Sequence, residues 1–195
     1  MDYRAPWWLP GGHAQTIWSA LYARQRRRLA RPLQRERWNT PDGDFIDVDR
    51  QWASAAERPM LVMFHGLEGS SQSHYAQACA DWAAEHDVHW VMPHFRGCSG
   101  EINQAPRAYH SGDHEEIHWI LQRLRTEHRA VGGCVLVAAG VSLGGNALMR
   151  WAGEHGGAAR QHVDAVAAIC SPLDLAESGK AIGRGFNRQV YTRMF

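Results

Sequence analysis

Lysine is nearly missing from this 195-residue chain: Lys180 is the only one, so its positive charge is carried almost entirely by arginine. Net charge of one sign is missing too. At +1 the total gives no reason to expect a polyanion, and no nucleic-acid partner is expected. No stretch approaches the roughly 18 uncharged apolar residues that a transmembrane helix needs. The opening Met1-Asp2-Tyr3-Arg4 lacks the apolar run of a standard export signal. The four cysteines (Cys79, Cys98, Cys134, Cys170) are widely separated with no C-x-x-C pair, which excludes a disulfide framework and points to a reducing, cytoplasmic setting. Three of them, Cys79, Cys134 and Cys170, fall in runs predicted as helix or strand interior, where a small buried thiol is the expectation. Cys98 follows a strand, and no paired histidine marks it as a reactive thiol. Repeats and low-complexity tracts are absent. The glycine clusters Arg96–Gly100 and Ala181–Gly185 match neither a dinucleotide fingerprint nor a P-loop, so no nucleotide or other cofactor is expected.

What is present reads as one domain with enough apolar residues for a substantial core. Residues 1–32 form an arm: an aromatic opening, Pro6-Trp7-Trp8-Leu9-Pro10, then a short helix from His13 to Tyr22 with Ile17, Trp18 and Leu21 on its apolar side. The run Arg24, Arg26, Arg27, Arg28 and Arg31 follows, read as a solvated face. Nine tryptophans are assigned to packing rather than to a substrate surface. Glu36–Thr40 and Phe45–Trp52 alternate around Pro41-Asp42-Gly43-Asp44, the signature of a hairpin. Beyond it strands and helices alternate. Strands are predicted at Met60–Phe64, Val88–Met92, Cys134–Ala139 and Ala165–Cys170. Helices are predicted at Ser73–His86 (Tyr75, Cys79 and Trp82 on one side), Asp113–His128 (Ile117, Ile120, Leu121 and Leu124 inward), Leu143–His155 and Phe186–Phe195. Continuous apolar strands separated by amphipathic helices predict an α/β fold, a mostly parallel sheet with helices on both faces.

Two motifs compete for the chemistry. Gly140-Val141-Ser142-Leu143-Gly144 fits G-x-S-x-G, in which Gly140 and Gly144 permit a strand-to-helix turn that lifts the serine hydroxyl above the sheet edge. A chain of this composition contains that pattern by chance about one time in ten, so context decides. The context is His65-Gly66-Leu67-Glu68-Gly69-Ser70, arriving at the same edge from a neighbouring strand end. The backbone amides of Leu67 and Leu143 would make a two-donor oxyanion hole there. The rival is His114-Glu115-Glu116-Ile117-His118, a literal H-E-x-x-H with His110 one turn back, rarer by chance at about one chain in thirty. Its helix already buries Ile117, Ile120, Leu121 and Leu124, and no third ligand follows in a recognisable loop. It is read as the surface of a covering helix, and no metal is assigned.

Taken in order, Gly12-His13-Ala14-Gln15-Thr16, Phe64 to Ser70, His94 to Gly100, Tyr109 to Asp113 and Gly140 to Asn146 resemble the YheT-type α/β-hydrolases, a group related to esterases and monoacylglycerol lipases. The resemblance implies an α/β-hydrolase fold, Ser142 as nucleophile, and hydrolysis of carboxylic esters or acylglycerols, hence a small ester or lipid-like substrate. It also implies that Pro172 to Phe195 is the entry into a lid region, so that residues 33–170 are assigned to the core sheet and helices and 171–195 to the start of the lid region. The departure is that a triad in this fold runs Ser, then Asp or Glu, then His, and only fifty-three residues follow Ser142. Glu154, His155, His162, Asp164, Asp174 and Glu177 are available, but His155 and His162 are expected at the far end of the helix that starts at the serine. No acid or base is assigned. The expectation is a single incomplete domain, truncated before its last strands and from a shortened or split gene, inactive or impaired alone. Ala165–Cys170 would then be an apolar edge open to self-association. The alternative is a non-catalytic fragment that acts through partner binding.

Overall fold

The computed structural model describes residues 3–22 and 29–191. A six-stranded mixed sheet in the order β1-β2-β4-β3-β5-β6 organises it. The strands are β1 (Gln34–Asn39), β2 (Phe45–Gln51), β3 (Met60–Phe64), β4 (His89–Pro93), β5 (Leu136–Val141) and β6 (Ala165–Ile169). The helices are α1 (Gly11–Tyr22), α2 (His74–Glu85), α3 (His114–Ala130), α4 (Leu143–His155), α5 (Leu175–Ile182) and α6 (Gly185–Val190), with a 3-10 segment at Gly156–Gln161. β3 to β6 are mutually parallel; β1 and β2 add an antiparallel edge.

The alternating side-chain directions of the strands account for two cores. Met60, Val62 and Phe64 of β3 face one way with Val91 of β4, against Ile117, Ile120, Leu121 and Leu124 of α3 and Leu148 and Trp151 of α4. Met63, Trp90 and Met92 face the other way, against Ala76, Ala80 and Ala83 of α2. The small-residue stripe brings α2 close to the sheet and leaves Tyr75 and Cys79 at its margins. Trp82, predicted on the same side as those two, instead lies outward, half-exposed and stacked on His86. The large residues dominate the apolar spacing of this segment, whereas the alanines define the contact.

The hairpin joins through hydrogen bonds between Thr40 and Asp44, with Gly43 at φ +82° in the turn. All seven residues of β2 are buried, including Asp47 and Asp49. Their carboxylates tolerate burial because Arg37 and Arg35 lie directly across the register and each makes a two-point ion pair. Below the hairpin turn, the buried Arg96 guanidinium reaches Glu116 at 2.7 Å, Asp42 at 2.8 Å and Asp44 at 3.2 Å. It ties the loop after β4 to both the hairpin and α3.

Cys134 and Cys170 are exposed, and Cys79 and Cys98 half-buried. The expectation of buried strand thiols fails at Cys134 because β5 begins two residues later, and at Cys170 because it follows β6, a strand whose own residues are exposed. Every residue of β6 is exposed, and among the described residues no strand covers its outer edge. The predicted Phe186–Phe195 helix is observed as α6, ending at Val190, with 192–195 outside the described residues. α5, capped by the Asp174 carboxylate on the Glu177 amide, was not predicted. Arg24, Arg26, Arg27 and Arg28 also lie outside the described residues. Among the described residues no helix is long and apolar enough to cross a membrane.

Candidate active site

At the carboxyl end of β5 the chain turns into α4 through Ser142, which has φ +51° and ψ −116°. A non-glycine residue held there carries about 1–3 kcal/mol of strain, and such strain persists where the surroundings impose it. The surroundings here are glycines. A Cβ on Gly140 would come within 2.5 Å of the Gly144 carbonyl oxygen, and one on Gly144 would run into the carbonyls of Phe64 and His65. Both positions of the motif are therefore empty because α4 and the end of β3 approach as bare backbone. A Cβ on Gly145 would meet the Ser171 hydroxyl, and Asn146 Nδ2 donates to Pro172 O at 2.8 Å, so the loop after β6 is bound into the same turn. The Ser142 amide donates to Ile169 O at 2.9 Å.

The loop after β3 arrives beside it. A Cβ on Gly66 would lie 3.3 Å from Ser142 Cβ, which places the His65–Ser70 segment in contact with the nucleophile turn. Three side chains hold this segment. The Gly66 amide donates to Tyr75 Oη at 3.0 Å; the Glu68 amide donates to Tyr109 Oη at 3.1 Å, while that hydroxyl donates to Glu68 Oε1 at 2.7 Å. His65 is fully buried. Its Nδ1 lies 2.7 Å from Gly66 O, and its Nε2 accepts the Phe95 amide at 3.0 Å. One ring nitrogen donates and the other accepts, so the imidazole is neutral and both its positions are taken. Among the described residues no acceptor takes the amide hydrogens of Leu67 or Leu143. Leu143 opens α4, whose first amides have no intrahelical partner and whose dipole favours negative charge.

Burial lowers the His65 pKa to about 4, with the nearby His94 imidazole adding to it. The ordinary value near 6.5 applies in the unfolded chain. The neutral ring is the native one, so this contribution to stability is complete above pH 6.5 and is lost as pH falls from 6.5 towards 4. A difference of that size is worth about 3 kcal/mol. Urea unfolding at pH 7.0 and 4.5 is expected to show the loss in the parent and a much smaller one in His65→Asn; equal pH dependence in the two would remove His65 as the cause.

Beneath this loop sits a second polar cluster that the sequence reading did not identify. Asp49 accepts from Arg35, from Ser71 Oγ at 2.5 Å and from His94 Nε2 at 2.9 Å. Burial opposes ionisation of Asp49, but the hydrogen bonds from Arg35, His94 and Ser71 outweigh it and hold the carboxyl below its ordinary range. It is a serine, a carboxylate and a histidine in one place, but the carboxylate lies in the middle, and Ser71 and His94 do not bond to each other. Its geometry serves to anchor the loop to β2. The only sequence cue was the unusual Asp-Val-Asp alternation in a strand.

No histidine or carboxylate among the described residues hydrogen-bonds to the Ser142 hydroxyl. His155 lies twelve residues along α4 from Leu143, about 18 Å at 1.5 Å per residue. There it stacks on His118 at 4.3 Å, with His162 edge-on to His118 at 4.8 Å. The H-E-x-x-H residues are thus dispersed in role. His118 Nδ1 accepts Trp151 Nε1 at 3.3 Å, Glu116 is not the motif's glutamate but pairs with Arg96, and Glu115 is exposed. Burial raises the Cys98 thiol to about 11, which keeps it protonated. Ser142 is half-buried and Leu67 exposed, so the carbonyl-binding corner opens to solvent.

Fold and serine turn define a class, and the family comparison agrees: residues 59–192 match the model of the alpha/beta hydrolase fold, and the chain belongs to that family. It is similar to YheT of Escherichia coli (strain K12), 38% identical over 183 residues that make up 93% of this chain and 51% of that protein. Phospholipase ABHD3 of Bos taurus is 27% identical over 60% of this chain and 29% of its own length. Among solved structures, an esterase of the fungus Rhizomucor miehei superposes with a TM-score of 0.62 at 15% identity, covering 88% of this chain and 55% of that one. The chain therefore spans about half the length of its curated relative YheT.

Proposed function

We propose that this chain carries the nucleophile and oxyanion half of a serine ester hydrolase acting on carboxylic esters or acylglycerols. Ser142 Oγ attacks the ester carbonyl, and the oxygen that becomes negative is received by the amides of Leu67 and Leu143 at the positive end of α4. Collapse expels the alcohol and leaves an acyl group on Ser142 for water to remove. The general base and its carboxylate come from residues other than those described. The observation that carries this reading is the strained φ of Ser142 at the end of β5, in contact with Gly66 of the neighbouring loop.

The test is a fluorophosphonate probe applied to the full chain in the presence of the C-terminal half of its Escherichia coli relative. Labelling is expected at Ser142 and not in Ser142→Ala; a folded, assembled pair that stays unlabelled would reject the reading.

The exposed edge of β6 favours a second reading, a module that works by strand pairing with a partner or with another copy. Val166 and Ile169 are 37% and 44% exposed, and the strand Ala-Val-Ala-Ala-Ile carries no charge or proline to block pairing. Sedimentation velocity is expected to show association of the parent chain and a shift to monomer in Val166→Lys. A parent that is monomeric throughout would count against it.

A further inference from the structure

α1 presents a surface the rest of the fold does not use. None of its twelve residues is buried. Trp18, Leu21 and Tyr22, three and four positions apart and so on one helical face, are 42%, 52% and 56% exposed. Trp8 packs edge-on against Trp18 at 4.9 Å, and Trp18 stacks on Tyr22 at 4.4 Å, so the face is a continuous aromatic strip; Trp7 beside it is 91% exposed. Indole and phenol rings combine an apolar body with a polar handle, the chemistry of side chains that settle at a lipid–water boundary.

Charge separates the strip from the body. From Tyr3 to Arg35 there are seven arginines and no acidic residue, which leaves 14 basic against 20 acidic residues in the remainder. Arg31 donates to Trp52 O and Arg35 to Asp49, so those two are engaged in the fold. The other five are Arg4, just before the strip, and Arg24, Arg26, Arg27 and Arg28, which follow Tyr22 in sequence. The arginine run alone reads as a solvated face; an exposed aromatic strip with Arg4 before it and the arginine run after it in sequence favours a membrane surface.

We propose that the face formed by Trp7, Trp8, Trp18, Leu21 and Tyr22 docks on the surface of an anionic phospholipid bilayer. The aromatic rings enter the headgroup boundary while arginine charge is attracted to the lipid phosphates, and the negative body is held away from the surface. α1 lies in the plane of the membrane; at twelve residues it is too short to span it. This docking does not depend on Ser142 having any chemistry.

The experiment is co-sedimentation of the full chain with phosphatidylcholine vesicles, with and without phosphatidylglycerol, at low and high salt. Partition onto the anionic vesicles is expected to exceed that onto the neutral ones by at least about tenfold, and to fall by a similar factor at high salt. The double variant Trp8→Ser, Trp18→Ser, checked for folding by circular dichroism, is expected to lose most of the binding. Equal binding to both vesicles, or binding indifferent to the tryptophans in a folded variant, would overturn the proposal. Two further results would also overturn it: a DNA duplex that competes the vesicles off with no dependence on the tryptophans, which makes the arm a nucleic-acid site, and a change only in self-association, which makes the strip an interface between copies.

Discussion

Purified as the 195-residue chain, the protein is expected to turn over p-nitrophenyl esters on the order of a million-fold more slowly than a hydrolase with a complete triad. The reasoning is geometric. A serine hydroxyl becomes a competent nucleophile when a neighbouring base takes its proton in the transition state. His65, nearest in sequence to the site loops, has both ring nitrogens occupied by Gly66 O and the Phe95 amide, and burial holds its pKa near 4. His94 is committed to Asp49, and His155 and His162 sit with His118 at the other end of α4. What remains of the proposed machinery is the pair of amides of Leu67 and Leu143; an oxyanion hole by itself still gives on the order of a thousandfold over water when a triad is disabled. A weak rate that barely changes in Ser142→Ala is therefore the expected result, with no inflection near pH 6.5 because no histidine among the described residues hydrogen-bonds to the hydroxyl. Robust turnover abolished by Ser142→Ala, with a rise through pH 6.5, would show that a base is present after all.

The parts of this arrangement that depend on local pattern were legible in the sequence. Met60–Phe64 and Leu143–His155 are read from apolar runs and from G-x-S-x-G, and they coincide with β3 and α4 to the residue. The four inward residues of α3 follow from their spacing, because a helix buried along one stripe must repeat that way. The meeting of the His65–Ser70 loop with Ser142 was also within reach, since parallel strands deliver their carboxyl ends to one edge.

What was not legible rests on contacts distant in sequence. Nothing local shows that Asp49 collects Ser71 and His94, or that Arg96 gathers Asp42, Asp44 and Glu116 from a hairpin and a helix. The inward face of α2 was obscured for a different reason. Alanine gives little hydrophobic signal, yet Ala76, Ala80 and Ala83 let the helix lie close to the sheet. His65 belongs to a motif, but its task depends on the Phe95 amide, thirty residues away, which it accepts on its ring. It fixes the loop that lies against the serine turn.

Arg96 carries the largest expected effect on stability. Its side chain is 3% exposed, Glu116 is likewise 3% exposed, and Asp44 is fully buried. Burial pushes the Glu116 carboxyl above its ordinary range even with the guanidinium alongside, whereas Asp42, pinned by Arg96 and Thr40, is lowered to about 2. Replacing Arg96 with methionine keeps much of the packing volume but leaves buried carboxylates without their counter-charge, a change that typically costs about 3–5 kcal/mol. Asp44 retains the amides of Phe45, Gln104 and Ala105, so Glu116 should bear most of the loss. That assignment has a pH signature. In the variant Glu116 can escape the penalty by taking a proton, so the deficit relative to the parent should shrink between pH 7 and pH 5. Adding Glu116→Gln should recover a good part of the lost stability at pH 7, because the amide removes the buried charge while keeping the shape. Urea denaturation of the parent and the two variants at both pH values measures this directly. A deficit that is the same at pH 5 and 7 and is not relieved by Glu116→Gln would place the cost in Asp44 or in lost packing. Glu116 would then be a bystander to the ion pair rather than the residue Arg96 is there to neutralise.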